Sequence, residues 1–195
     1  SGAAAAVWTD RPTLTNTQLF EVMRRSARDL GKRGWDADTG YGVLNIPAAM
    51  ARKAPPSDLQ EPNEDVYLVK PNGLTKAGHS PLTRQSRLQA SVTASLEKGE
   101  DPEDVYRIVL PGRRGVLVSV KPAFGDTDVA VYDKRATNLD QRSRILRKSA
   151  HSGAKTDAVT VRNRGRKSRS AYVRVSIHPR AKALNAAYVV TIRRR

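Results

Sequence analysis

From Tyr106 onward, apolar side chains recur at every second position, and this alternation limits the possible folds more than any other feature of the chain. Tyr106, Ile108 and Leu110 form one such set, followed by Val116, Val118 and Val120, then Val173, Val175 and Ile177, then Tyr188, Val190 and Ile192. Successive side chains of an extended backbone point to opposite faces, so each set lines one side of a half-buried strand. Asp128 to Tyr132 and Ala158 to Val161 read as two more strands, and Leu88 to Leu96 as a further one. Pro111-Gly112, Gly125-Asp126 and Asn163-Arg164-Gly165 supply turns between them. Many short strands with no helix between them predict an antiparallel β-sandwich of jelly-roll-like type.

The first part of the chain follows a different period. Leu19, Phe20, Met23, Ala27 and Leu30 recur at three- and four-residue spacing and predict an amphipathic helix over Thr13 to Leu30. Thr15 and Gln18 have the spacing of a capping box, and Gly31, Lys32 and Arg33 form a helix stop. Gly34 to Gly42 is rich in turn residues, with Gly40 and Gly42 supplying conformations that a side chain would hinder. A short apolar run at Val43-Leu44 and a brief helix over Pro47 to Lys53 follow. Residues 54–63 contain Pro55, Pro56 and Pro62 without a periodic pattern and read as a linker. The expected organisation is therefore α+β overall: a mostly helical region over 1–53, a linker over 54–63 and an antiparallel sandwich over 64–195.

Composition narrows the function. The longest apolar run, Ala3 to Trp8, is far short of the roughly 20 residues that a membrane helix needs, so no span is expected. The opening Ser-Gly-Ala-Ala-Ala-Ala lacks the basic start and cleavage site of a signal peptide. A cysteine count of 0 excludes disulfides, cysteine nucleophiles and thiolate zinc sites, and fits an exported bacterial protein. The net charge of +16 is concentrated: residues 1–133 carry 17 Lys/Arg and 17 Asp/Glu, whereas residues 134–195 carry 18 Lys/Arg against Asp140 and Asp157. Such a region either contacts an anionic polymer or is a solvated basic face. Aromatic residues for base stacking are scarce around Arg162 to Arg169, with Tyr172 alone nearby, which argues against sequence-specific nucleic-acid recognition.

Three segments in order carry a family resemblance: Ser1-Gly2-Ala3-Ala4-Ala5-Ala6-Val7-Trp8, Leu14-Thr15-Asn16-Thr17-Gln18, and Gly34-Trp35-Asp36 with Gly40-Tyr41-Gly42-Val43-Leu44-Asn45 and Ala48-Ala49. Together they resemble the end of the subtilase catalytic domain, the part that follows the nucleophile. The resemblance implies that nucleophile, base and orienting carboxylate all precede Ser1. On that reading the chain alone is inactive, and its parent is a secreted, extracellular serine endopeptidase that meets protein or peptide substrates through the catalytic part. Small residues over Gly2 to Ala6 would let that helix lie closely against a parallel sheet. His79, His151 and His178 sit in no catalytic motif and read as ordinary surface or structural histidines.

Residues 61–195 resemble the pre-peptidase C-terminal family of β-sandwiches. The likeness rests on Glu61-Pro62-Asn63, on Asp101-Pro102-Glu103-Asp104-Val105-Tyr106 leading to Leu110-Pro111-Gly112, on Asp128 to Asp133, and on Tyr172-Val173-Arg174-Val175 and Tyr188-Val189-Val190. Ser170-Ala171 stands where the family often has glycine, and residues 134–170 are unusually basic. Acidic and amide oxygens gather at Glu61, Asn63, Glu64 and Asp65 and again at Asp101 and Asp104, hard ligands of the kind calcium takes. In collagen-binding members of the family the matching positions coordinate calcium, so the resemblance implies a calcium site at Glu61, Asn63, Glu64, Asp101 and Asp104, with Glu64 replacing the usual aspartate. The other reading of these groups is solvated loop carboxylates. The rival for the whole chain is a basic, non-catalytic binding module for nucleic acid or anionic polymers, which the charge favours and the first 53 residues do not.

Overall fold

The described residues form eight strands, seven of them from the expected segments: β1 (Ala90–Glu97), β2 (Glu103–Leu110), β3 (Gly115–Phe124), β4 (Thr127–Asp133), β5 (Ile145–Ser149), β6 (Asp157–Arg162), β7 (Arg169–Ile177) and β8 (Asn185–Arg194). The structure is a computed structural model that describes all residues except 35, 57–59 and 100. Trp35 of the expected Gly-Trp-Asp motif and the middle of the expected linker therefore lie outside the described residues. The chain divides into two units, Ser1–Ser57 and Asp58–Arg195.

In the second unit the strands form two four-stranded sheets, ordered β1-β8-β3-β6 and β2-β7-β4-β5, with every pair antiparallel. The chain passes from one sheet to the other at every connection except β4 to β5, the order of an eight-stranded jelly roll. The inner faces meet in one apolar cluster, in which Val118, Tyr188, Val190 and Ile192 of the first sheet pack with Ile108, Val131, Val173 and Val175 of the second. The β3–β4 turn depends on Gly125, whose φ is +80°; a Cβ there would lie 2.7 Å from that of Ala186.

The second sheet is also covered over part of its outer face. One helical turn, α4 (Val66–Val69), follows Asp65 and packs its Val66, Leu68 and Val69 with Val105, Ala130, Tyr132 and Tyr172 on the outer face. Strand β5 was not expected from the sequence. Its apolar residues Ile145 and Leu146 are adjacent, and Arg147 and Lys148 after them are exposed at the sheet edge.

The first unit is less helical than expected. Helices α1 (Gly2–Asp10), α2 (Asn16–Ser26) and α3 (Ile46–Ala51) take up less than half of it, and turns with two isolated β-bridges fill much of the rest. The capping box forms as the spacing requires: Gln18 N–H donates to Thr15 Oγ1, and Thr15 N–H to Gln18 Oε1, both at 3.2 Å. Helix α2 ends at Ser26 instead of Leu30, because Arg28 pairs its backbone with Val43 in both directions at 2.8 and 2.9 Å. Leu30 consequently leaves the apolar stripe. Gly42 permits this pairing, since its φ is +91° and a Cβ would lie 2.1 Å from the Arg28 carbonyl oxygen. Asn45 caps α3 by accepting Ala48 N–H at 3.0 Å, and Tyr41 lies under the Arg24 guanidinium at 5.5 Å. A small cluster of Val7, Leu14, Leu19, Val22 and Ala49 holds the unit together.

The wholly buried Ile108 and the half-exposed Phe124 give opposite expectations for truncation. Ile108→Ala lowers unfolding free energy by about 2–5 kcal/mol in urea titration, and Phe124→Ala changes it by about 0.5 kcal/mol or less.

Candidate metal centre

Three carboxylates from two stretches of the second unit converge where the chain enters the sandwich. Oxygens of Glu61, Asp101 and Asp104 lie within 4.8 Å of one another. Backbone pairing brings them there: Asn63 accepts Val105 N–H of β2 at 2.7 Å, and Asp101 exchanges two backbone hydrogen bonds with Glu97 at 2.8 and 2.9 Å. Asp104 is the second residue of β2 and shares the inward face with Tyr106 and Ile108. It is wholly buried, while Glu61 and Asp101 are half-buried. Asn63 is also wholly buried; Glu64, half-buried beside it, is not one of the three converging carboxylates.

A carboxylate inside a sandwich requires donors. Tyr188 of β8 donates its hydroxyl proton to Asp104, and the Tyr106 and Tyr188 hydroxyls lie 2.7 Å apart. A hydroxyl has one proton, so Tyr106 is the donor to Tyr188 and a directed chain runs from Tyr106 through Tyr188 to Asp104. Burial first, then the Asp104 charge and Tyr106, push the Tyr188 hydroxyl well above the usual tyrosine range, which keeps it protonated as a donor.

Two unit charges 4 Å apart repel by about 4 kcal/mol at a typical effective dielectric. Three clustered carboxylates therefore favour a cation or a proton among them. The donor set is all oxygen and contains no imidazole, which fits calcium or magnesium better than zinc.

Elsewhere in the second unit Ser149, His151 and Asp157 also cluster, but not as a proton relay. His151 Nδ1 lies 2.6 Å from Asp157 Oδ1 and 3.2 Å from Ser149 Oγ, and Ser149 also donates directly to Asp157. A serine nucleophile needs the imidazole nitrogen opposite the one held by the carboxylate. Both partners here occupy Nδ1, so the imidazole cannot be oriented by the aspartate and accept the serine proton at once.

The positive charge has its own geometry. Arg147, Arg162, Arg164, Arg169 and Arg195 line a cleft of about 450 Å³ with no Asp or Glu among its described lining residues. The loop from β6 to β7 is fixed by the buried Asn163, whose amide donates to the carbonyls of Leu110 at 3.1 Å and Lys167 at 2.9 Å. Arg113 N–H donates to Gly165 O at 2.9 Å from the other side. The basic region is legible in the sequence; that five of its arginines line one cleft is not.

No family model matches the chain, and no curated protein matches it. Among solved structures, the pre-peptidase C-terminal domain of a collagenase from Bacillus anthracis aligns with a TM-score of 0.41 and 14% identity, over 54% of this chain and 90% of that one. A family 16 carbohydrate-binding module aligns with a TM-score of 0.31 and 13% identity, over 54% of this chain and 84% of that one. Tripeptidyl peptidase 2 aligns over 100% of this chain and 26% of its own length, with a TM-score of 0.37 and 10% identity.

The relay predicts its own sensitivity. Tyr188→Phe removes the donor to a buried carboxylate and lowers stability by about 1–3 kcal/mol; Tyr106→Phe, one step further away, costs less. Chemical denaturation of the two variants measures the difference.

Proposed function

We propose that the chain is the C-terminal part of a secreted subtilisin-like serine endopeptidase, in which the sandwich is a non-catalytic accessory domain. The observation that carries this reading is the apolar surface of the first unit. Trp8, Phe20, Leu30, Val43 and Leu44 are 40–57% exposed, and the Ala-rich helix α1 buries Val7 alone. Large apolar side chains exposed in this number favour a packing partner, and the small residues of α1 suit close approach to a sheet. The order of the subtilase-like motifs supplies the identity of that partner. The reading gains support from the positions at which Tyr41, Gly42 and Asn45 act, since each motif residue has a definite structural task.

On this reading the reacting groups lie before Ser1, and the isolated chain hydrolyses neither casein nor small peptides. Hydrolysis abolished by a serine-directed inhibitor, in a chain of verified mass, would contradict it. The coding sequence upstream of Ser1 tests the parentage: Asp, His and Gly-Thr-Ser-Met-Ala motifs are expected, and a sequence without them refutes it.

For the sandwich, the reading assigns calcium to Glu61, Asp101 and Asp104, with Asn63 and Glu64 at the same entrance. The ion would neutralise the converging carboxylates and hold residues 61–65 to β2. Binding to the folded state alone adds about 2.7 kcal/mol of stability at a hundredfold excess over Kd. The melting temperature of the full chain is expected to rise with calcium, and Asp101→Asn to remove that rise. Superimposable melts in calcium and in chelator would eliminate the assignment.

The arginine cleft favours a second reading, in which the sandwich holds an anionic polymer. Five arginines line the cleft with no Asp or Glu among the described lining residues, a concentration of positive charge that an anion would offset. Retention on heparin should weaken steeply with salt, because bound counterions are released on binding. Combined Arg162→Ala, Arg164→Ala and Arg169→Ala substitution should shift elution to lower salt. Equal retention of the variant would assign the effect to overall charge and reject the cleft.

A further inference from the structure

A second group of metal-ligand side chains lies where β3 turns into β4. Asp126 is in the turn, Asp128 is the second residue of β4, and His178 follows the last residue of β7. One ligand atom from each lies within 4.8 Å of the others. The backbone fixes this arrangement, since Thr127 pairs with Ile177 and Asp128 with Ser176, and His178 N–H donates to the Asp126 carbonyl at 2.9 Å.

An ion pair accounts for two of the three residues. His178 Nδ1 lies 2.9 and 3.1 Å from the two carboxylate oxygens of Asp128. It does not account for Asp126, which is 8% exposed. Asp126 Oδ2 accepts Gly153 N–H at 2.7 Å, whereas Oδ1 is buried without a hydrogen-bond partner. A buried carboxylate oxygen with no donor is a standing cost. Asp157, wholly buried, adds a further negative charge within electrostatic reach of Asp128. The His151 imidazole is already engaged with it.

We propose that Asp126, Asp128 and His178 bind a divalent transition-metal ion of the zinc class. An imidazole combined with two carboxylates is a mixed nitrogen and oxygen donor set, which suits zinc, cobalt or manganese and is foreign to calcium. The site is thereby distinct in chemistry from the all-oxygen cluster at Glu61, Asp101 and Asp104. Three protein ligands leave a coordination position open, and a cleft of about 350 Å³ lined in part by Asp128, Ser176 and His178 adjoins them. A water or a small anion entering from that cleft completes the shell. The ion ties the β3–β4 turn to the end of β7.

The test uses the full chain, stripped of metal and then held in excess calcium so that all-oxygen sites are occupied. Calorimetric titration with zinc is expected to show one equivalent bound. Asp126→Asn and His178→Gln should each weaken that binding at least tenfold, while Asp101→Asn leaves it unchanged. Cobalt added to the unmodified chain should shift or broaden the His178 ring resonances, a readout that does not depend on a variant folding. Absence of zinc binding overturns the proposal. So does binding that both substitutions leave intact, and so do His178 resonances that ignore cobalt.

Discussion

Two sheets remain together only while the faces they turn toward each other exclude water, and the rest of the second unit follows from that requirement. Valine, isoleucine and tyrosine alternate inward on both sheets, and each inward polar group must be paired within the protein or neutralised. Asp104 meets the condition through Tyr188 and Tyr106, a polar thread that crosses from one sheet to the other through an otherwise apolar core. Asn163 meets it at the opposite end of β2 by bonding the carbonyl of Leu110. Excess charge is driven to the rims. Carboxylates gather at turns and strand starts, and arginines line the side where β5 and β6 are edge strands of their sheets. A row of like charges on an edge strand also discourages pairing with another chain, so the same arginines that shape the cleft help keep those edges single.

The legible parts of the sequence were those governed by local chemistry. Alternation exposed seven of the strands, because a face buried against another sheet demands an apolar residue at every second position. It missed β5, where an edge position releases that demand and adjacent Ile145 and Leu146 break the period. The capping box at Thr15 and Gln18 was legible for the same local reason. The end of α2 was not, since it is set by Arg28 pairing with Val43 across the intervening turns. Site residues divide in the same way. Glu61, Asp101 and Asp104 are legible as two local clusters of hard oxygen ligands, and likeness to a known family joins the two clusters into one site. His178 reads from the sequence as an ordinary histidine, because only the pairing of β4 with β7 brings it to Asp126 and Asp128.

The order of the strands has a consequence for how the protein is made. Strand β8 lies inside the first sheet, between β1 and β3, although it follows every other strand in the chain. Nothing synthesised earlier can fill that place, so β1 has no neighbour in its sheet until residues 185–194 have left the ribosome. Closing a contact between strands so far apart in sequence is slow, because the loop entropy is lost before any pairing offsets it. The first sheet therefore stays incomplete until its last strand has been made, and its inner apolar face lacks an interior strand until then.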